Sequence, residues 1–237
     1  GIVSLLLLSI AAVVITEALG IESVTGGIIV GGVLTSFPSI TGNFLFMYMA
    51  TYFSLSILMA ALAVYFIMCG KKVIWQVSGV LLIACSMGIY QAYFPLIAGL
   101  LLCDLIRRCF CGEESVSEVW KKALKYFACL ALGMILYFAA EYFFLWIFHA
   151  SLTPHKGISE MGQIDIRMIP GILVQMYKNM ISMLYSDLMG LSTDLMMRIL
   201  IGISYLTVFL FTIMKEIKLI LKREHLKAGL GALFIVI

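Results

Sequence analysis

The chain has 237 residues, of which 63% are hydrophobic and 12% charged, with a formal net charge of +3 and a mean hydropathy of +1.10. A soluble domain carries about twice that share of charge, and much of its surface must face water, so this composition excludes a water-soluble globule. The phosphate loop, dinucleotide fingerprint and nucleophile elbow are missing, and the basic residues are too scattered for a nucleic-acid face.

Apolar runs separated by charge give the elements in order. Ser23 to Gly70 and Val73 to Cys103 contain no charged residue. A helix rises about 1.5 Å per residue and the hydrocarbon core is about 30 Å thick, so ~20 apolar residues make one crossing. Backbone groups in lipid must be satisfied within the protein, which makes helices the default for such long runs. The pattern predicts helices over 2–17, 24–37, 43–69, 73–89, 92–106, 125–149 and 197–214, and the start of another at 228. Pro38 and Gly42 break the first long uncharged run into two crossings. The expected architecture is an all-α, polytopic transmembrane helix bundle of seven to eight crossings, forming one domain over 1–237. The chain begins at Gly1 in apolar sequence without an initiator Met, and the segment from Ala228 stops after half a crossing. Both ends are therefore expected to be cut inside membrane helices.

Direction follows from lysine and arginine. Lys71, Lys72, Arg107, Arg108, Lys121, Lys122 and Lys125 fall on two connections, and Lys215, Lys218, Lys222, Arg223 and Lys227 on a third. These connections, 107–124 among them, belong on the cytoplasmic side. Residues 73–106 must then go out and return, either as two short helices with a break at Tyr90–Pro95 or as a re-entrant pair. The same rule places the 37–43 turn and the 150–196 segment outside. Within the latter, 171–189 has Ile172, Leu173, Met176, Met180 and Leu184 on one face, the spacing of an amphipathic helix lying on the outer membrane surface.

Few side chains can carry chemistry. Glu141 reads as the only carboxylate deep within a clear crossing, where charge is costly and usually faces protein or a cavity. It reads either as an acid/base or substrate contact or as an interhelical hydrogen bond. Tyr90, Gln91 and Tyr93 stand at the outward break, where irregular backbone at membrane depth lines a cavity or is buried in protein; an interfacial aromatic belt is the other reading. Ser39, Thr41 and Asn43 offer hydroxyls and an amide at the other outward turn, or simply turn chemistry. External cations include Arg167 and Lys178. No metal site is expected, because His149 and His155 lack ligand spacing and Cys109-x-Cys111 alone is a weak signal on a reducing, cytoplasmic connection. Gly27-x-x-x-Gly31 fits the small-residue motif of packed membrane helices.

Four stretches carry a family resemblance. They are Gly32-Val33-Leu34-Thr35-Ser36-Phe37-Pro38-Ser39-Ile40-Thr41 with Phe46-Met47-Tyr48, then Ser86-Met87-Gly88-Ile89-Tyr90-Gln91-Ala92-Tyr93, then Lys156-Gly157-Ile158 through Met161-Gly162-Gln163-Ile164, and last Tyr185 to Arg198. In this order the chain resembles the GtrII-type glucosyltransferases of bacterial envelopes. The resemblance implies a GT-C-like enzyme of the bacterial cytoplasmic membrane with its active side facing outward. It would move a hexose, glucose by the family's habit, from a polyprenyl-phosphate carrier to an envelope glycan such as O-antigen, without a cofactor. Its partners would be membrane lipid, the lipid-linked donor and the glycan acceptor. Tyr90, Gln91, Tyr93, Ser39, Asn43, Arg167 and Lys178 become candidate substrate contacts, with Arg167 and Lys178 for phosphate. The implied catalytic base lies on an early external loop, upstream of Gly1, which leaves Glu141 as a weak catalytic candidate here. The family pattern also leads one to expect an Asp near Thr51, where this chain has Met49-Ala50-Thr51-Tyr52, so the segment alone is expected to be inactive. A transporter or flippase for a lipid-linked sugar is the alternative, although no internal repeat of the kind common in transporters is present.

Overall fold

A computed structural model of the chain describes residues 1–36, 44, 46, 48–111, 114–149, 168–185, 199, 203, 206–207, 210–215, 217 and 225–236. The described residues are mostly helical, with no strand among them. They divide into two compact units, 1–147 with 226–237, and 148–225.

In the first unit α1 (Ile2–Ala18) is apolar on every side. Its end is closed by Gly20 at φ +63°. The Gly20 N–H reaches Glu17 O and the Ile21 N–H reaches Thr16 O, which satisfies carbonyls that the last turn leaves free. Ser23 then caps α2 (Val24–Ser36) by accepting from the Gly26 N–H at 3.1 Å. The helix runs back along α1, with Gly27 facing Thr16 and Gly31 facing Ala12. This is the close approach that small residues permit.

A turn at Phe46, whose carbonyl accepts from Met49 and Ala50, delays α3 (Ala50–Cys69) beyond the expected start at 43. It packs against α1 and against α4 (Val73–Ile89). At the α3–α4 seam Ser56 and Ser86 donate to each other's carbonyls at 2.9 and 3.0 Å, so two buried hydroxyls are satisfied without water. Gly79 keeps the seam tight, because a Cβ there would stand 3.2 Å from the Ala63 carbonyl.

Residues 73–111 form two helices that meet at the break expected over Tyr90–Pro95. Tyr90 is extended, Gln91–Tyr93 make one 3-10 turn, and α5 (Phe94–Cys111) follows with Pro95 in its first turn, where a missing N–H costs nothing. The helix outlasts its expected end at 106 because Asp104 pairs with Arg107 and Arg108 one turn on. Helix α6 (Val116–Ile147) begins nine residues before the expected 125. The Ser115 N–H and hydroxyl bond Glu118 Oε2, and Ser115 Oγ accepts from the Glu118 N–H, a reciprocal capping box. Most of 107–124, expected as a connection, is thus helical, with 107–111 in α5 and 116–124 in α6. The C-terminal α8 (His225–Val236) adds Ala228 and Phe234 to the buried core.

Helices α3 and α6 are long and apolar enough to cross a membrane, and α1, α2 and α4 are apolar but shorter. Large apolar side chains such as Ile28, Phe127 and Ile135 stand exposed on the flanks of this unit. In the second unit α7 (Ile169–Tyr185) covers the described part of the helix expected over 171–189, and 186–189 lie outside the described residues. Described positions between 199 and 217 are also helical.

Candidate functional site: a groove beside the α4–α5 break

The break holds its shape through aromatic contacts. The Tyr90 ring lies 4.8 Å from Phe53 and 5.1 Å from Tyr93, centroid to centroid. Tyr93 is buried in the core between α1, α3 and α5, which rules out the aromatic-belt reading for that residue. Tyr90 is more exposed. Gln91, on the 3-10 turn, sends its Nε2 to the Tyr137 hydroxyl on α6. One turn further along α6, Glu141 interacts with the same hydroxyl.

Tyr137 and Glu141 line a groove of about 490 Å³ between α4 and α6. Its other walls are Leu81, Ala84, Cys85 and Gly88 of α4, with Leu136, Ala140 and Phe144 of α6. The helices can approach here because Gly133 gives way to Ile83: a Cβ on Gly133 would fall 2.6 Å from Ile83 Cγ2. Leu81, Leu136 and Phe144 are exposed along the groove, so its mouth is apolar and its polar groups are concentrated at one end. An amide, a phenol and a carboxylate in series supply donors and acceptors suited to sugar hydroxyls. Among the described residues no lysine or arginine lines the groove, so a phosphate would need cations from elsewhere.

The expected site residues are thus partly assembled. Gln91 and Glu141 converge through Tyr137, while Tyr90 and Tyr93 support the turn beneath Gln91. Ser39, Thr41, Asn43 and Arg167 lie outside the described residues. Lys178 is exposed on α7 in the second unit. At the position where an acid was expected, Thr51 Oγ1 meets Ser4 Oγ at 3.2 Å. Tyr137 was not anticipated. Its only local signal is the i, i+4 spacing to Glu141, since Gln91 is 46 residues away.

Glu141 is also not the sole carboxylate embedded in these helices. Asp104 is fully buried and accepts from Arg107 at 3.0 Å, Arg108 Nε at 2.6 Å and the Tyr126 hydroxyl at 2.8 Å. Nearby, Glu114 bonds Arg108 and Lys122. The hydrogen bond from Lys122, aided by the charge of Arg108, holds the Glu114 carboxyl below the usual glutamate range. Lys125 Nζ donates to the Ile67 carbonyl in the last turn of α3 at 2.9 Å. Every carboxylate and cation of this cluster has a partner, and its geometry is that of a clamp between helix ends. Among the described residues no three metal-ligating side chains converge.

The family model described as Glucosyl transferase GtrII matches residues 1–237. No curated protein and no solved structure matches the chain.

Proposed function

The chain belongs to the glucosyl transferase GtrII family, a family of glycosyltransferases, and from that premise we propose that the α4–α6 groove is where a lipid-linked glucosyl donor meets the enzyme. The observation that carries this reading is the Gln91–Tyr137–Glu141 series at one end of an otherwise apolar groove. An isoprenoid chain suits the apolar wall, and the glucosyl hydroxyls suit the polar end. The carrier would be a polyprenyl phosphate and the acceptor an envelope glycan, as the GtrII resemblance implies. Glu141 would accept a hydrogen bond from a substrate hydroxyl, and a carboxylate does this more strongly than a neutral acceptor. Arg167 and Lys178 are the proposed phosphate contacts, Arg167 the stronger because its planar fork can grip two oxygens. Ser39 and Asn43 are proposed as further hydroxyl and amide contacts.

The helices of the first unit are proposed to cross the bacterial cytoplasmic membrane repeatedly. Exposed apolar flanks suit lipid, whereas water would penalise them. The Asp104–Lys122 end carries the basic residues and would face the cytoplasm, which puts the break and the groove's polar end outside.

The test is glucosyl transfer by the whole protein in membranes with Glu141→Gln. A charge-assisted hydrogen bond contributes about 1.5–3 kcal/mol, so transfer should fall roughly 10- to 100-fold while membrane insertion is retained. Wild-type transfer at subsaturating donor would remove Glu141, and with it the groove, from the site.

A further inference from the structure

The basic end of the first unit carries lysines that the clamp of charges does not use. We propose that Lys71, Lys72 and Lys121, flanked by Trp75 and Trp120, form a docking surface for the headgroup of an anionic phospholipid. This rests on the first unit lying in a membrane and is independent of the groove.

Two helix contacts bring the three lysines to one level. Ile83 of α4 meets Gly133 of α6, and both helices run away from the basic end. Ten residues back along each are Val73 and Ala123, so Lys71 and Lys72 stand level with Lys121 at the two helix starts. The Lys125 Nζ bond to the Ile67 carbonyl, at 2.9 Å, ties α6 to the last turn of α3. Lys121 comes one turn before Lys125 and Lys71 one turn after Ile67, so both lie beyond that bond on the same side. The turn that presents Lys71 and Lys72 is fixed in shape. A Cβ on Gly70 would overlap Trp75 Cβ and the Phe66 carbonyl, and the Trp75 ring packs 4.9 Å from that of Phe66.

The charge of this surface is not neutralised from within. Lys71, Lys72 and Lys121 are exposed, and no ion pair among the described residues engages them. The neighbouring acids are committed: Asp104 to Arg107 and Arg108, Glu114 to Arg108 and Lys122, and Glu118 to Ser115. Glu17 and Glu22 flank the α1–α2 turn, where Gly20 sits against the Arg107 guanidinium. The first turn of α4 contains no acid. Trp75 and Trp120 are exposed at the same two helix starts, the placement of tryptophans at headgroup depth. A lysine ammonium attracts a headgroup as a point charge, so negative charge defines the occupant. Trp120, Leu124 and Phe127 then continue as an exposed apolar stripe along α6, at i, i+4 and i+7. That stripe offers a path for acyl chains, which a lipid has and a free phosphate lacks.

The experiment reads lipid preference at the two tryptophans. The whole protein is reconstituted in phosphatidylcholine bilayers, with a rising fraction of either phosphatidylglycerol or phosphatidylcholine brominated near the headgroup. The signal is the fluorescence that a variant carrying Trp75→Phe and Trp120→Phe lacks. Each lysine near the surface contributes about fivefold, so phosphatidylglycerol should quench that signal with a preference of about tenfold or more. The preference should fall as salt is raised. Lys121→Gln should reduce it about fivefold. Lys71→Gln, Lys72→Gln and Lys121→Gln together should abolish it, and the same three changed to Arg should keep it. Equal quenching by the two lipids overturns the proposal and leaves the membrane reading standing. Quenching by neither sinks the membrane placement itself. Inorganic phosphate that displaces the brominated lipid at matched ionic strength would overturn the lipid assignment in favour of a free anion. If the triple Gln variant fails to accumulate, Lys121→Gln and the salt dependence decide.

Discussion

Asp104 and Glu141 are both carboxylates on helices of an apolar unit, and their surroundings give them different work. Asp104 is fully buried and saturated by two guanidinium groups and a phenol. A substrate would have to displace those partners to reach it, so Asp104 holds α5 and α6 together. Glu141 lines a groove and interacts with one phenol, which leaves acceptor capacity for a ligand. Different substitutions should separate these roles. Removing one member of a buried ion cluster leaves uncompensated charge and typically costs 3–5 kcal/mol. Asp104→Ala should lose about 3 kcal/mol, the lower end of that range, because Arg107 is partly exposed and can turn to solvent. Thermal unfolding in detergent checks this, and a transition as high as the wild type's would show that the cluster does not join the helices. The i, i+3 and i, i+4 spacing of Asp104 to Arg107 and Arg108 was visible in the sequence. The Tyr126 partner, 22 residues away, was not.

Among the elements, the uncharged runs announced α1, α2 and α4 almost to the residue, because nothing in them competes with a helix. The sequence reading fell short where charge begins. It stopped α5 at Ile106 and started α6 at Lys125, treating charged residues as connection. An i, i+4 ion pair extends the one and the Ser115–Glu118 box starts the other, and both signals are local and readable. The site was legible in pieces for a different reason. Gln91 and Glu141 stand out singly as polar groups in apolar surroundings, but their meeting depends on helix packing across 50 residues of chain. Tyr137 looks like any membrane tyrosine until Gln91 is placed on it. The connections between elements also carry a prediction. In the whole protein with its native cysteines removed, a single cysteine at Lys121, beside the α5–α6 connection, should resist an impermeant thiol reagent in intact cells. One at Lys156 should be labelled. Labelling at Lys121 with protection at Lys156 would reverse the proposed orientation.

Within the first unit, exposed apolar flanks, a clamp of charges at one end and the polar groups near the α4–α5 break suit the proposed reaction, whose donor would live in lipid and whose acceptor would not. In the proposed site the donor's chain would stay among apolar side chains while its sugar reached Glu141. Such an arrangement asks for orientation and electrostatic support more than for a covalent intermediate. The most direct measurement is photo-crosslinking of the whole protein in membranes with a polyprenyl-phosphate glucose analogue that carries a diazirine near the phosphate. Peptide mapping should find adducts on 81–88 of α4 and 136–144 of α6, and excess unmodified donor should abolish them. Donor-competed adducts confined to other segments, with none on those two, would contradict the groove as the donor site.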